Sequence, residues 1–195
     1  RGNASPSARE PSSASISRKS TDVSKEDGIL QEERVSGRWR FHPMDREHAR
    51  SVLSWRYEAP YDYYNPLPHQ RLEWLAVFCD AANGYFFLED PELQICAFCC
   101  FGREARVPGG LYAEPAVDIG LGVRPDLTGG GKGSEFVSAV VDFARNRYTP
   151  SALRVTIAAF NHRAERVWQS AGFRFAERFA RDIDGHPFQV FVHRG

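Results

Sequence analysis

Residues 127–136 read Leu-Thr-Gly-Gly-Gly-Lys-Gly-Ser-Glu-Phe, with four glycines in five positions before an abrupt change to an apolar run. Glycine lets a backbone adopt left-handed angles and approach a partner with no Cβ in the way. Upstream, AVDIGLGV (116–123) has the pattern of a strand, closed by Arg124-Pro125. Downstream, SEFVSAVVDFARNRY (134–148) reads as a helix. The unit is therefore strand, glycine turn, helix. The first N–H groups of a helix have no partner inside it, and the helix dipole adds partial positive charge there. A bare turn at such an end is suited to an anion, a phosphate above all. A tight turn with no ligand is the plain alternative.

Two phosphate-loop patterns fail on this stretch. A P-loop needs Gly-Lys-Ser/Thr, whereas the order here is Gly131-Lys132-Gly133-Ser134. A dinucleotide fingerprint would put its last glycine at Ser134, and the following strand LRVTIAAF (153–160) lacks the acid that pattern requires. A third pattern fits. VRPDLTGGGKGSEFV (123–137) resembles the acetyl-CoA loop of the GCN5-related N-acetyltransferases (GNAT family): Gln or Arg, two residues, Gly, one residue, then Gly or Ala. Thr128 stands at the first position, a departure, and Gly131 and Gly133 fill the other two. NHRAERVWQSAGFRF (161–175) resembles the family's second motif through Asn161, Ala164, Trp168 and Gly172-Phe173. Each of these has a bland reading: Asn161 as helix cap, Ala164, Val167, Trp168 and Ala171 as a buried stripe, Gly172 as helix stop. The two motifs in order are more specific than either. The resemblance covers about residues 37 to 195.

The resemblance implies an α/β (α+β) domain: a mixed, mostly antiparallel, twisted sheet flanked by helices, with a splayed central strand pair. It implies acetyl-CoA (coenzyme A) as cofactor. Thr128, Gly129, Gly130, Gly131, Lys132, Gly133 and Ser134 would hold the diphosphate. Leu121, Gly122 and Val123, with Asn161, would pair with the pantetheine arm in the splay, and Trp168 would border it. Gly120 and Gly122 inside a strand suggest a bulge or a close approach by another backbone. Amine acetylation needs a proton acceptor and a donor to the developing oxyanion. Asp118 is nominated as the base, directly or through water; its alternatives are orienting the amine or pairing with an arginine. A main-chain N–H near Val123 is the expected oxyanion donor. Many relatives protonate the leaving thiolate with a tyrosine where this chain has Trp168, and an indole N–H is no acid. Tyr112 is one substitute; departure as free thiolate is the favoured route. The rival reading is a CoA-binding or interaction module that turns over weakly or not at all. Trp55, Tyr57, Glu58, Tyr61 and Tyr64, in a tyrosine-rich segment that also carries Asp62, are expected to receive a small-molecule amine or a peptide N-terminus, the alternative being a surface loop stapled by its tyrosines.

Composition sets the frame. The 195 residues carry no net formal charge, which argues against a phosphate-driven nucleic-acid binder. With 42% hydrophobic and 13% aromatic residues the chain can build a core. No apolar run reaches membrane-spanning length, so a soluble, cytoplasmic protein is expected, with no membrane partner. Residues 1–36, rich in Ser, Arg and Pro, are expected to form a disordered tail before a domain at 37–195. Cys96-Ala-Phe-Cys99-Cys100 lies in a continuous apolar run without histidines at metal spacing, and reads as core rather than zinc site. Asp45 should cap a first helix; Leu72, Leu75, Ala76 and Cys79 should form the buried face of a second. The last two strands offer a pairing surface for a homodimer.

Overall fold

The computed structural model of the chain describes residues 33–35, 38–92 and 94–195. Among these residues eight strands form one sheet in the order β1-β2-β3-β4-β5-β6-β8-β7. They are β1 (Glu33–Val35), β2 (Trp39–Pro43), β3 (Tyr85–Glu89), β4 (Ile95–Phe101), β5 (Val117–Val123), β6 (Ala152–Ala158), β7 (Arg174–Ala180) and β8 (Pro187–Arg194). Every neighbouring pair is antiparallel except β5 and β6, which run parallel. The helices are α1 (Arg46–Ser54), α2 (Arg71–Cys79), α3 (Gly133–Tyr148) and α4 (His162–Ser170). The mixed, mostly antiparallel sheet with helices on its faces is the architecture expected from the sequence.

Alternation along the strands builds two cores. Phe41, Ile119, Leu153, Val155 and Ile157 enter one with Phe136, Val140 and Phe143 of α3 and Trp168 of α4. Phe87 and Cys100 enter the other, with Val52 and Leu53 of α1 and Leu75 and Phe78 of α2. Phe41 and Phe143 stack at 4.2 Å, fixing α3 across the centre of the sheet. Cys96, Cys99 and Cys100 are buried in β4, and all four cysteines are free thiols. Asp45 caps α1, accepting from the His48 N–H at 2.9 Å. On α2 the expected face is wrong: Leu72 is 80% exposed, and Leu75 and Phe78 are the buried pair.

β1 pairs with β2 from Glu33↔Phe41 to Val35↔Trp39, so a strand occupies three residues of the segment expected to be an unstructured tail. The rest of that expectation, residues 1–32 and 36, lies outside the described residues.

What positions the site is the parting of β5 and β6. Their ladder holds at Val117↔Leu153, Asp118↔Arg154 and Ile119↔Val155 and then ends, although both strands continue. Beyond Ile119 and Val155 the two strands border an opening.

Candidate active site

Gly120, Leu121, Gly122 and Val123 line one wall of this opening, and Thr156 and Ile157 the other. The cleft holds about 420 Å³ and runs on to the glycine turn and to α4. Backbone groups alternate in direction along a strand. The Arg124 N–H donates to Cys96 O in β4, which turns Gly122 and Gly120 toward β4. The main-chain groups of Leu121 and Val123 therefore face the cleft, past the last β6 pairing. Tyr57 reaches in from the segment after α1 and donates its hydroxyl to Val123 O at 2.9 Å. Burial pushes the Tyr57 hydroxyl up to about 12, with a smaller push from Tyr64, so it remains a donor at neutral pH.

At the glycine turn, Gly129 and Gly131 both have φ of +80°. Among the described residues no side chain caps α3, in contrast to Asp45 on α1 and Asn161 on α4. The first amides of this 16-residue helix are thus left to the turn and to whatever enters it. Gly133 serves packing instead: a Cβ there would lie 3.1 Å from Val167 of α4. The Thr128 hydroxyl is tied to Pro125 O at 2.7 Å. Two arginines that sequence reasoning missed, Arg163 and Arg166, line the cleft from α4. Arg163 lies over the Tyr61 ring at 3.8 Å and beside Gly129. Their spacing of three, on the helix that follows Asn161, was the signal available. Uncapped amides, bare backbone and two guanidiniums fit a diphosphate, and the parted strands fit an extended arm with amides.

Asn161 does two jobs. Its Oδ1 caps α4 by accepting from the Ala164 N–H at 3.1 Å, and its Nδ2 donates to the Tyr64 hydroxyl at 3.2 Å. Burial raises the pKa of that hydroxyl. Tyr61 and Tyr64 close the cleft, held through ring contacts with Phe160. Trp168 borders the cleft while its ring packs edge-on against Phe173 at 4.8 Å. Of the residues named from sequence, the cleft gathers Tyr57, Tyr61, Tyr64, Leu121, Gly122, Val123, Thr128, Gly129, Gly131, Gly133, Asn161 and Trp168. Gly130, Lys132 and Ser134 are exposed and stand off it, Ser134 facing Arg38 and Trp39 instead. Trp55 packs against Phe98, and Glu58 and Asp62 face solvent. Trp55 and Glu58 are therefore not among the cleft's walls, although Tyr57 between them is.

The larger correction concerns Asp118. Its side chain is 2% exposed and does not line the cleft. Arg154 grips it with two N–H groups, Nε at 2.5 Å and Nη2 at 2.9 Å, and Arg106 Nε adds a third at 2.7 Å. Both carboxylate oxygens are already accepting from guanidiniums. That geometry fits the arginine-pairing alternative, not a base that meets an incoming amine.

Gly120 and Gly122 also have a different cause from the one expected. The β4–β5 register is continuous, with no bulge. A Cβ on Gly122 would stand 2.2 Å from the Phe98 ring, and one on Gly120 would stand 2.6 Å from Cys100 Sγ. The close approach is made by side chains of the neighbouring strand. Gly122→Ala is accordingly expected to lose about 1–3 kcal/mol by overpacking, read from chemical denaturation. An unchanged midpoint would show that the ring moves aside freely.

A family model described as an acetyltransferase (GNAT) domain matches residues 22–174. Among curated protein sequences none matches the chain. Solved structures that it resembles include a Vibrio cholerae spermidine N-acetyltransferase in complex with CoA and spermine, at 14% identity and a TM-score of 0.61, covering 80% of this chain and 95% of that one. A Bacillus anthracis GNAT-family acetyltransferase gives 12% identity and a TM-score of 0.64, over 84% and 98% of the two chains. A chimera of the Vibrio cholerae enzyme SpeG with hSSAT gives 13% and 0.64, over 80% and 95%. At such identities the likeness speaks for the fold, while the family model spans most of the sequence. The chain belongs to the GNAT acetyltransferase family, N-acetyltransferases whose donor is acetyl-CoA.

Proposed function

We propose that this enzyme acetylates the primary amine of a small molecule, with a protein N-terminus as the second acceptor class. The observation that carries the reading is the cleft itself, open between β5 and β6, with a phosphate-suited turn and tyrosines around its open end. Bound acetyl-CoA supplies an acetyl group on a thioester. The amides of Gly129, Gly131 and Gly133, with Arg163 and Arg166, would hold its diphosphate, and the main chain of Leu121 and Val123 would align its arm. Tyr57, Tyr61 and Tyr64 keep bulk water from that channel and border the acceptor's entry. The structural neighbour crystallised with CoA and spermine supports a small amine as acceptor. Four free thiols suit a reducing compartment such as the cytoplasm.

The Trp168 indole provides no acid for a leaving thiolate, whose free pKa would be near that of an ordinary thiol. CoA release is to be followed with spermidine, tyramine, glutamate and a tripeptide as acceptors. Amine-dependent release with at least one of them is expected. If acetyl-CoA raises the melting temperature while none of them is acetylated, the protein is a CoA-binding module.

A further inference from the structure

We propose that Thr156 is the residue that accepts a hydrogen bond from the acceptor amine, and that Tyr112 holds it in that role. The inference rests on the acetyltransfer reading above. Val155 and Ile157 point into the core under α3 and α4. The two-residue period of a strand therefore sends Thr156 to the opposite face, together with Arg154. Thr156 is the first β6 residue past the last β5–β6 pair, so it stands where the strands begin to part, and it lines the cleft. From Val123 back to Ile119 β5 spans about 13 Å at roughly 3.3 Å per residue. That is the reach from the glycine turn to the closed end of the opening. The diphosphate site lies on the α3 side, so the second reactant comes to the closed end from the Thr156 face.

The hydroxyl of Thr156 is not free to rotate at will. Its Oγ1 lies 3.1 Å from the Tyr112 hydroxyl. The Tyr112 oxygen accepts from the Val107 N–H at 2.8 Å and lies 3.1 Å from Val107 O. A phenol has one proton to give and room to accept. All three contacts are satisfied together in one arrangement: Tyr112 donates to Val107 O and accepts from both the Val107 N–H and Thr156. The Thr156 proton is then committed to Tyr112, and its lone pairs are turned to the cleft. A hydroxyl so held accepts from an amine N–H and steers the nitrogen lone pair to the reacting carbon.

The chain invests conformational strain in this placement. Tyr112 has a φ of +45°, one of two non-glycine residues with positive φ among those described. Non-glycine residues in such regions persist where the surroundings enforce them, often at functional sites. Gly110 makes room: a Cβ there would stand 2.7 Å from the Tyr112 ring. Arg154 and Arg106 lie over the ring at 4.9 and 5.3 Å and fix its plane. Thr156 is thus the residue touching substrate, and Tyr112 a positioning residue.

The test uses the full chain and whichever of spermidine, tyramine, glutamate or the tripeptide turns over fastest. Thr156→Val, which keeps the shape and deletes the hydroxyl, is expected to lower turnover about 10- to 100-fold. Thr156→Ser should restore it to within about threefold of the parent. Tyr112→Phe should fall between, and the double variant should be no worse than Thr156→Val alone, as for residues acting as one unit. The rise in melting temperature on adding acetyl-CoA should be the same in all four. Calorimetric affinity of the amine for the CoA-saturated protein should weaken in Thr156→Val. Turnover of Thr156→Val within twofold of the parent, no rescue by serine, or multiplying effects of the two sites would overturn the proposal. A parent that acetylates none of the amines fails at the first measurement and removes the acetyltransfer reading, and this proposal with it.

Discussion

Asp118→Ala is expected to lower stability by about 3–5 kcal/mol, the cost of leaving a buried charge without its partner. The abandoned charge is Arg154, whose side chain is 4% exposed and whose Nε and Nη2 both go to Asp118. The remaining N–H contact, Nη1 to Glu114 O at 3.0 Å, does not neutralise it. In a domain of this size 1 kcal/mol moves the melting temperature by about 2–4 °C, so a fall on the order of 10 °C is expected. Asp118→Asn keeps an acceptor oxygen and should lose less. The result discriminates between two roles. A carboxylate serving as base would be removable at little cost to stability and large cost to rate. A clamp across β5 and β6 gives the reverse: the pair sits at the second rung of a three-rung ladder, just below the point where the strands part. Thermal unfolding within about 2 °C of the parent would contradict the clamp.

Gly131→Val is expected to weaken acetyl-CoA binding at least about 100-fold while leaving the fold intact. A β-branched residue does not tolerate the +80° φ at this position, and relief of the strain would rotate the amides that face the turn. Nothing among the described residues lies within 4 Å of the position a Cβ would take, so the effect is on backbone conformation and not on packing. Gly130 supplies the control. It has no positive φ and equally open surroundings, so Gly130→Ala should bind the cofactor about as the parent does.

Local pattern carried the reading of this chain where the physics is local. The Asp45 cap, the apolar run of β4 and the strand–turn–helix unit at 117–148 all depend on residues near in sequence. The glycine turn and Asn161 could be named as candidates for the same reason, and both line the cleft. The failures come from contacts across the sheet. In α2 apolar residues stand at Leu72, Trp74, Leu75, Ala76, Val77, Phe78 and Cys79, so no periodicity marks a face, and the packing of Phe78 on Tyr85 at 4.4 Å decides it. β1 is three residues in a polar stretch and exists through its pairing with β2. The reason for Gly122 is Phe98, and the reason for Asp118 is Arg154, 36 residues away; both need the strand register to be seen. Thr156 was hidden inside an apolar strand, and only the end of the β5–β6 ladder gives it meaning.

The central claim is that backbone amides at the start of α3, bared by glycine, grip the diphosphate of the acetyl donor. Calorimetric titration of acetyl-CoA into the parent, Gly130→Ala and Gly131→Val tests it most directly. Tight binding by the first two, with binding lost in Gly131→Val at an unchanged melting temperature, is the predicted result. Equal affinity in all three would contradict it, because the cofactor would then be held somewhere other than this turn.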